Sequence, residues 1–276
     1  MRRLLLLVLL ACAGSLAAAP RVVSLAPSLS EIVVELQASD LLVGVLDGGE
    51  RPPELAQLPS VGRYGQLDLE RLLSLEPDLI LLWPASVPPT QRVQLERLGI
   101  ALVSAEPHDL DSLIAQIAYI GERLERAEAG QRYAELLRTR LAELRKRYHR
   151  EQPLRVFYQV WDKPLYTVGG GQIISDALKV CGARNLFEDL VLPAPQVSIE
   201  SVLQRDPQVI VAGEQTQLQA WKAWRQVSAV RNGQLLRVPD KGLERPSGQM
   251  IEATAKLCEA LAEAPESGAR DLLAVP

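Results

Sequence analysis

The sequence predicts an α/β fold of two similarly built lobes joined by a long helix, and three observations predict it. The first is an internal repeat: residues 70–82 read ERLLSLEPDLILL and residues 200–212 read ESVLQRDPQVIVA. Each copy opens on a glutamate (Glu70, Glu200), carries a proline seven residues on (Pro77, Pro207) and ends in a short apolar run. Proline lacks an N–H and its ring clashes with the preceding turn, so each acidic-Pro step ends a helix. The runs 79–82 and 209–212 are too short for helices and too apolar to alternate, which suits strands covered on both faces of a parallel sheet. The second observation is that strand-like and helix-like segments alternate in both halves of the chain, the pattern of a mostly parallel sheet with helices packed on it. The third is a helical stretch of nearly forty residues, 111–150, with a break near 127–130. In it Tyr133, Leu137, Leu141, Leu144 and Tyr148 recur at spacings of four, four, three and four and form one apolar face. A helix of about twenty residues is roughly 30 Å long. Its place between the two repeat-bearing halves predicts a rigid connector.

The composition agrees. With 276 residues and 47% apolar content the chain can fill two cores of ordinary size. The net charge of −4 mixes both signs, so no basic stripe is present for nucleic acid. Two histidines, His108 and His149, stand far apart, which excludes a His-rich metal site of the usual ligand count. No Gly-x-Ser-x-Gly elbow, His-containing triad spacing or metal-ligand cluster is found, so the chain is expected to be no enzyme and to need no cofactor or metal.

In chain order, residues 1–18 are expected to be a secretory signal peptide: Arg2 and Arg3 precede an apolar run too short to span a bilayer, and small residues follow. That predicts a periplasmic protein. An alternative is a lipid anchor through Cys12, since Leu9-Leu10-Ala11-Cys12 loosely matches a lipoprotein box. An N-terminal lobe is expected over 19–126, with strands at 21–25, 42–46, 79–82 and 100–104. Ser28 or Ser30 is expected to cap the first helix, with Glu31 at its positive end. Residues 61–66 read as a loop, and a helix is expected over 90–98. The connecting helix spans 127–152, the C-terminal lobe 153–265 and a tail 266–276. In the second lobe, strands are expected at 154–160, 165–168, 209–212 and 235–238, with loops at 185–189 and 193–195. Gly169-Gly170-Gly171 reads as a plain turn, since no Lys-Ser/Thr follows it as phosphate binding would need. Ser198 is expected to cap the second repeat helix, Trp221 and Trp224 to pack on one helix face, and 240–248 to form a polar loop before a closing helix over 249–262. Beyond Cys12 the chain holds only Cys181 and Cys258. These could be bridged in an oxidising compartment or remain two buried thiols.

The stretches RVVSLAPSLSE at Arg21, LVGV at Leu42, LDLERLLSLEPDLILLW at Leu67, QLERLGI at Gln94 and PQVSIESVL at Pro195, together with Cys181 and Cys258, resemble the class III solute-binding proteins of ABC importers, and among them the cobalamin-binding members. The resemblance covers nearly all of 20–263. It implies two Rossmann-like lobes joined by one long backbone helix, a ligand cleft between them, and a Cys181–Cys258 disulfide. It implies a periplasmic protein that captures cobalamin or a related corrinoid and delivers it to the membrane subunits of an ABC importer; a ferric siderophore or haem carrier of the same fold is the alternative. Carried over position by position, it places Tyr64, Trp83, Tyr166, Asp240, Glu244 and Arg245 at the ligand, with Trp161 beside a position usually aromatic. Gly48 and Ala194 stand where two large rings would be. Glu70 and Glu200 map to the glutamates that dock on arginines of the importer. A corrin is a large plate edged with amides, so flat rings plus a few polar groups from two lobes suit it.

Overall fold

The computed structural model describes residues 19–49 and 51–264. The expected signal peptide, Cys12 and the tail lie outside the described residues. In the first half, β1 (Val22–Ser24), α1 (Pro27–Glu35), β2 (Leu42–Asp47), β3 (Ser60–Arg63), β4 (Gln66–Leu67), α2 (Leu69–Ser74), β5 (Leu79–Leu82), α3 (Pro89–Arg97) and β6 (Ala101–Ser104) build a sheet of order β4-β3-β2-β1-β5-β6. All its pairings are parallel except β3 with β4. Then come α4 (Leu110–Arg123) and α5 (Ala127–Arg147). The second half holds β7 (Leu154–Asp162), β8 (Leu165–Thr167), α6 (Ile173–Val180), β9 (Ala183–Asn185), α7 (Ile199–Arg205), β10 (Val209–Ala212), α8 (Gln215–Trp221), α9 (Ser228–Arg231), β11 (Leu235–Arg237) and α10 (Gln249–Ala262). Its sheet runs β11-β10-β7-β8, with β9 also pairing with β7.

The repeat is real in three dimensions. Asp68 caps α2 by accepting the Arg71 N–H at 2.9 Å, and Ser198 caps α7 by accepting the Ser201 N–H at 3.2 Å. Both helices end on an acidic residue in left-handed backbone, Glu76 and Asp206, each with φ 45° and each followed by proline. The strands that follow, β5 and β10, are buried at every position.

Several expectations are corrected. Neither Ser28 nor Ser30 caps α1: its N-cap is Ala26, Pro27 supplies the first turn, and the buried Ser30 hydroxyl instead donates to Ser24 Oγ. Glu31 is buried rather than placed at the helix start. The 61–66 loop is the β3–β4 hairpin, and 185 lies in β9 rather than in a loop. Trp224 falls outside α8, although Trp221 packs edge-on against Phe157 with centroids 5.6 Å apart and donates to Gln159 at 2.6 Å. The helical break falls at 124–126, where Glu125 has φ 59°; Gly130 lies inside α5. A Cβ on Gly121 would stand 2.8 Å from the Gly130 Cα, so the two glycines let α4 and α5 touch backbone to backbone. The apolar face of α5 is the expected one, with Leu137, Leu141 and Leu144 buried.

One apolar core runs through β1, α1, α4, α5, α6 and α10, and therefore through both halves of the chain. Two smaller clusters cover the opposite faces of the sheets. Cys181 and Cys258 are disulfide-bonded, joining the end of α6 to α10 inside that core. Gly169 and Gly170 serve close approach: a Cβ on either would meet the Leu192 or Glu188 carbonyl at 2.0 Å.

Candidate functional site

Strands β1 and β5 are neighbours, and the chain leaves β1 for β2 but β5 for β6, in opposite directions along the sheet, so a crevice opens at their carboxyl ends. The chain leaves β1 through Leu25, Ala26, Pro27 and Ser28, β2 through Asp47 and Gly48, and β5 through Trp83, and all seven residues line one cleft of about 300 Å³. Tyr64 and Ser86 complete this wall, Gln172 and Ile173 at the start of α6 add to the lining, and residues 243–246 close it before α10.

The aromatic groups are held differently. Trp83 begins a short 3-10 turn whose Pro84 fixes the backbone, and the Ser86 hydroxyl donates to its carbonyl at 2.7 Å. The ring is partly buried against the core. Tyr64 sits at the tip of the β3–β4 hairpin, between Gly62 and Gly65, both in left-handed backbone, and is 66% exposed. An apolar ring this exposed leaves much surface for a ligand to cover. Gly48 cannot gain a side chain cheaply, since a Cβ there would stand 2.6 Å from Pro27 Cγ.

Among the described residues, the charged groups of the lining are Asp47, Glu244 and Arg245. The Ser60 hydroxyl and the Arg51 guanidinium hold the Asp47 carboxyl below the usual range. Arg245 pairs with Glu31 at 2.8 Å. Glu31 is buried on α1 and also accepts from Ser247 Oγ, at 3.1 Å, and from Gln249 Nε2. One turn on, Glu35 accepts the backbone N–H groups of Gly248 and Gln249 at 2.8 and 2.9 Å, placing a carboxylate on the N-terminus of α10. Burial raises the Glu35 pKa despite these bonds. Behind Glu244 the Tyr158 hydroxyl is buried, and burial together with the Glu244 carboxylate pushes its pKa up.

Of the residues expected at the ligand, the structure brings together Tyr64, Trp83, Glu244 and Arg245. Trp161 and Tyr166 are register partners on the β7–β8 hairpin, Trp161 being exposed, and neither lines the cleft. Asp240 is also outside the lining: its carboxylate pairs with Lys256 and caps the turn Lys241–Glu244 through the Gly242 N–H. Ala194 is exposed and does not line the cleft. Glu70 and Glu200 are exposed in the first turns of α2 and α7; the Glu200 carboxyl is held low by its own N–H and the Ser198 hydroxyl. Sequence reasoning missed Glu31, Glu35, Gln172 and Ile173. Two glutamates one turn apart on an otherwise apolar helix were the signal for the first pair.

Residues 22–241 match the family described as periplasmic binding protein. The vitamin B12-binding protein of Vibrio cholerae serotype O1 is 36% identical over 243 residues, covering 87% of this chain and 88% of its own length. The crystal structure of the periplasmic vitamin B12 binding protein BtuF of Vibrio cholerae superposes with a TM-score of 0.81 at 36% identity, over 89% of this chain and 98% of that one. The periplasmic haem binding protein HutB of Vibrio cholerae reaches 0.77 at 20% identity, over 88% and 99%, a likeness of fold alone. With the doubly wound sheets, the switch-point cleft and these matches together, the chain belongs to the periplasmic binding protein family.

Proposed function

We propose that this chain is a periplasmic carrier that captures cobalamin or a related corrinoid and hands it to the membrane subunits of an ABC importer. The observation that carries this reading is the cleft itself, which combines flat rings with a polar lining whose arginine is ion-paired. Tyr64 and Trp83 offer apolar faces to a plate, and Glu244 and Gln172 offer acceptors and a donor to amide edges. Arg245 is matched by Glu31 and Asp47 by Arg51, and Glu244 adds negative charge, so the cleft has no excess of positive charge for an anionic siderophore or for haem carboxylates. The relatives that match over most of the chain, vitamin B12-binding proteins, agree with it. Tyr64, Trp83, Glu244 and Arg245 are the ligand contacts we propose; Asp240, by capping the turn Lys241–Glu244, supports the wall that Glu244 lines. Glu70 and Glu200, on equivalent helices of the two repeats, are the proposed docking charges for the two membrane subunits. Calorimetric titration with cyanocobalamin tests the reading: saturable one-to-one binding supports it, and no heat above dilution contradicts it.

A further inference from the structure

The β3–β4 hairpin brings two side chains to the mouth of the cleft. Tyr64, at its tip, lines the cleft, and Arg63, the residue before it, stands just outside the lining. Strand register fixes that place: Arg63 is the parallel neighbour of Asp47, the last residue of β2, and the antiparallel partner of Gln66. Register partners share a face, so Arg63 lies on the side of the Asp47 carboxylate at the cleft rim. The hairpin is tight, since Gly62 has φ 112° and a Cβ there would stand 2.3 Å from the Gln66 carbonyl oxygen.

Three charges meet at this rim. Asp47 accepts from Ser60 Oγ at 2.5 Å and from Arg51 Nε at 3.0 Å, and Arg51 also donates to the Leu58 carbonyl at 2.7 Å, so Asp47 and Arg51 hold one another. Arg63 adds to the field on the Asp47 carboxyl, but among the described residues its exposed guanidinium makes no hydrogen bond or ion pair. Asp47, Arg51 and Arg63 together therefore carry one positive charge in excess. The size of the cleft supplies a second observation. At about 300 Å³ it is at the small end of the roughly 300–1,000 Å³ that holds a drug-sized ligand, and a complete corrinoid with its nucleotide tail is larger than that, so part of the ligand rests on the rim. The tail carries the one peripheral anion of such a ligand, a phosphodiester, whose oxygens suit the planar fork of a guanidinium.

We propose that Arg63 binds the phosphodiester of the ligand's nucleotide tail and so makes this chain favour complete corrinoids over incomplete ones that lack the tail. The inference rests on the corrinoid reading above. One rim charge answers one monoanion, while the lining within keeps no excess of positive charge.

The test is calorimetric titration with cyanocobalamin and with dicyanocobinamide, which keeps the corrin plate and lacks the phosphodiester and base. Arg63→Gln should weaken cyanocobalamin binding by about five- to tenfold and leave dicyanocobinamide within about twofold. Arg63→Lys keeps the charge and should retain most of the affinity, and Arg63→Glu should weaken cyanocobalamin further than Arg63→Gln does. Added salt should reduce the preference of wild type for cyanocobalamin, because an exposed charge contact is screened, and should change that of Arg63→Gln much less. The melting temperature should hold in all three variants, since the side chain is exposed. Binding of neither corrinoid by wild type would overturn the corrinoid reading and this inference with it. Binding of both by wild type, with Arg63→Gln weakening the two in parallel or changing neither, would overturn this inference alone.

Discussion

The Glu35 carboxylate accepts the backbone N–H of Gly248 at 2.8 Å, so a side chain of α1 caps α10. Tyr133 of α5 closes the same junction, since a Cβ on Gly248 would stand 2.0 Å from its hydroxyl. Helices α1, α5 and α10 thus meet at one point beside the cleft.

The first prediction concerns pH. Burial raises the Glu35 pKa in the folded protein. A carboxyl with a raised folded pKa contributes stability that is fully present below its unfolded value, near 4.5, and is lost as pH rises through the folded pKa. Glu35→Gln removes that titration, so wild type should gain melting temperature relative to the variant as pH is lowered from 7 toward 4.5. Asp47, Asp189 and Asp240, whose pKa values are lowered, act in the opposite direction but equally in both proteins and cancel in the difference. Paired melting curves check this; a difference independent of pH contradicts it.

The same glycine gives a second test. Gly248→Ala should lower stability by about 1–3 kcal/mol, the usual cost of overpacking, because its methyl collides with the Tyr133 hydroxyl. Because the Tyr133 ring carbons Cζ and Cε1 would also lie 2.6 and 2.7 Å from that methyl, Gly248→Ala with Tyr133→Ala should cost less than the sum of the two single changes. Denaturant unfolding of the single and double variants measures both.

Much of the fold was legible because its signals are local. Acidic-Pro steps, β-branched runs and the Leu137–Leu141–Leu144 stripe each act within one element. What escaped depends on contacts between distant elements. Gly130 reads as a helix breaker, yet it lies inside α5 because Gly121 needs it there. Ser30 reads as a cap, but Pro27 starts the helix and the serine turns to Ser24. At the site, Tyr64, Trp83, Glu244 and Arg245 were reachable through the family resemblance, whereas the partnership of Glu31 with Arg245 spans more than 200 positions and leaves no local trace. Asp240 shows the limit of position-by-position transfer, since Lys256 takes its carboxylate.

Cys181 and Cys258 give a third prediction. The bridge closes a loop across a sequence separation of 77, which in the chain-entropy model stabilises by roughly 4 kcal/mol. Intact-mass analysis after alkylation under denaturing, non-reducing conditions should show no adduct on these residues. Cys181→Ala with Cys258→Ala should lower the melting temperature clearly; an unchanged value would show that burial alone holds α6 to α10.

The fourth prediction separates docking from binding. Glu70→Ala with Glu200→Ala should leave ligand affinity and melting temperature nearly unchanged, since both side chains are exposed and outside the cleft. Uptake by importer-containing vesicles at limiting binding-protein concentration should fall, because rim charges chiefly govern encounter and orientation. Wild-type uptake by the double variant would make both residues ordinary helix-start charges.

Within the cleft, Trp83→Ala and Tyr64→Ala should each weaken corrinoid binding by about 1–3 kcal/mol through lost apolar burial. Unchanged affinity in both, by calorimetry, would place the ligand elsewhere.

The central claim is tested most directly by a competition. Wild-type protein is incubated with equimolar cyanocobalamin and haemin, desalted, and its absorbance spectrum recorded. A retained corrin band near one per chain, without a Soret band, is the predicted result; a Soret band alone, or a spectrum of bare protein, would contradict the account.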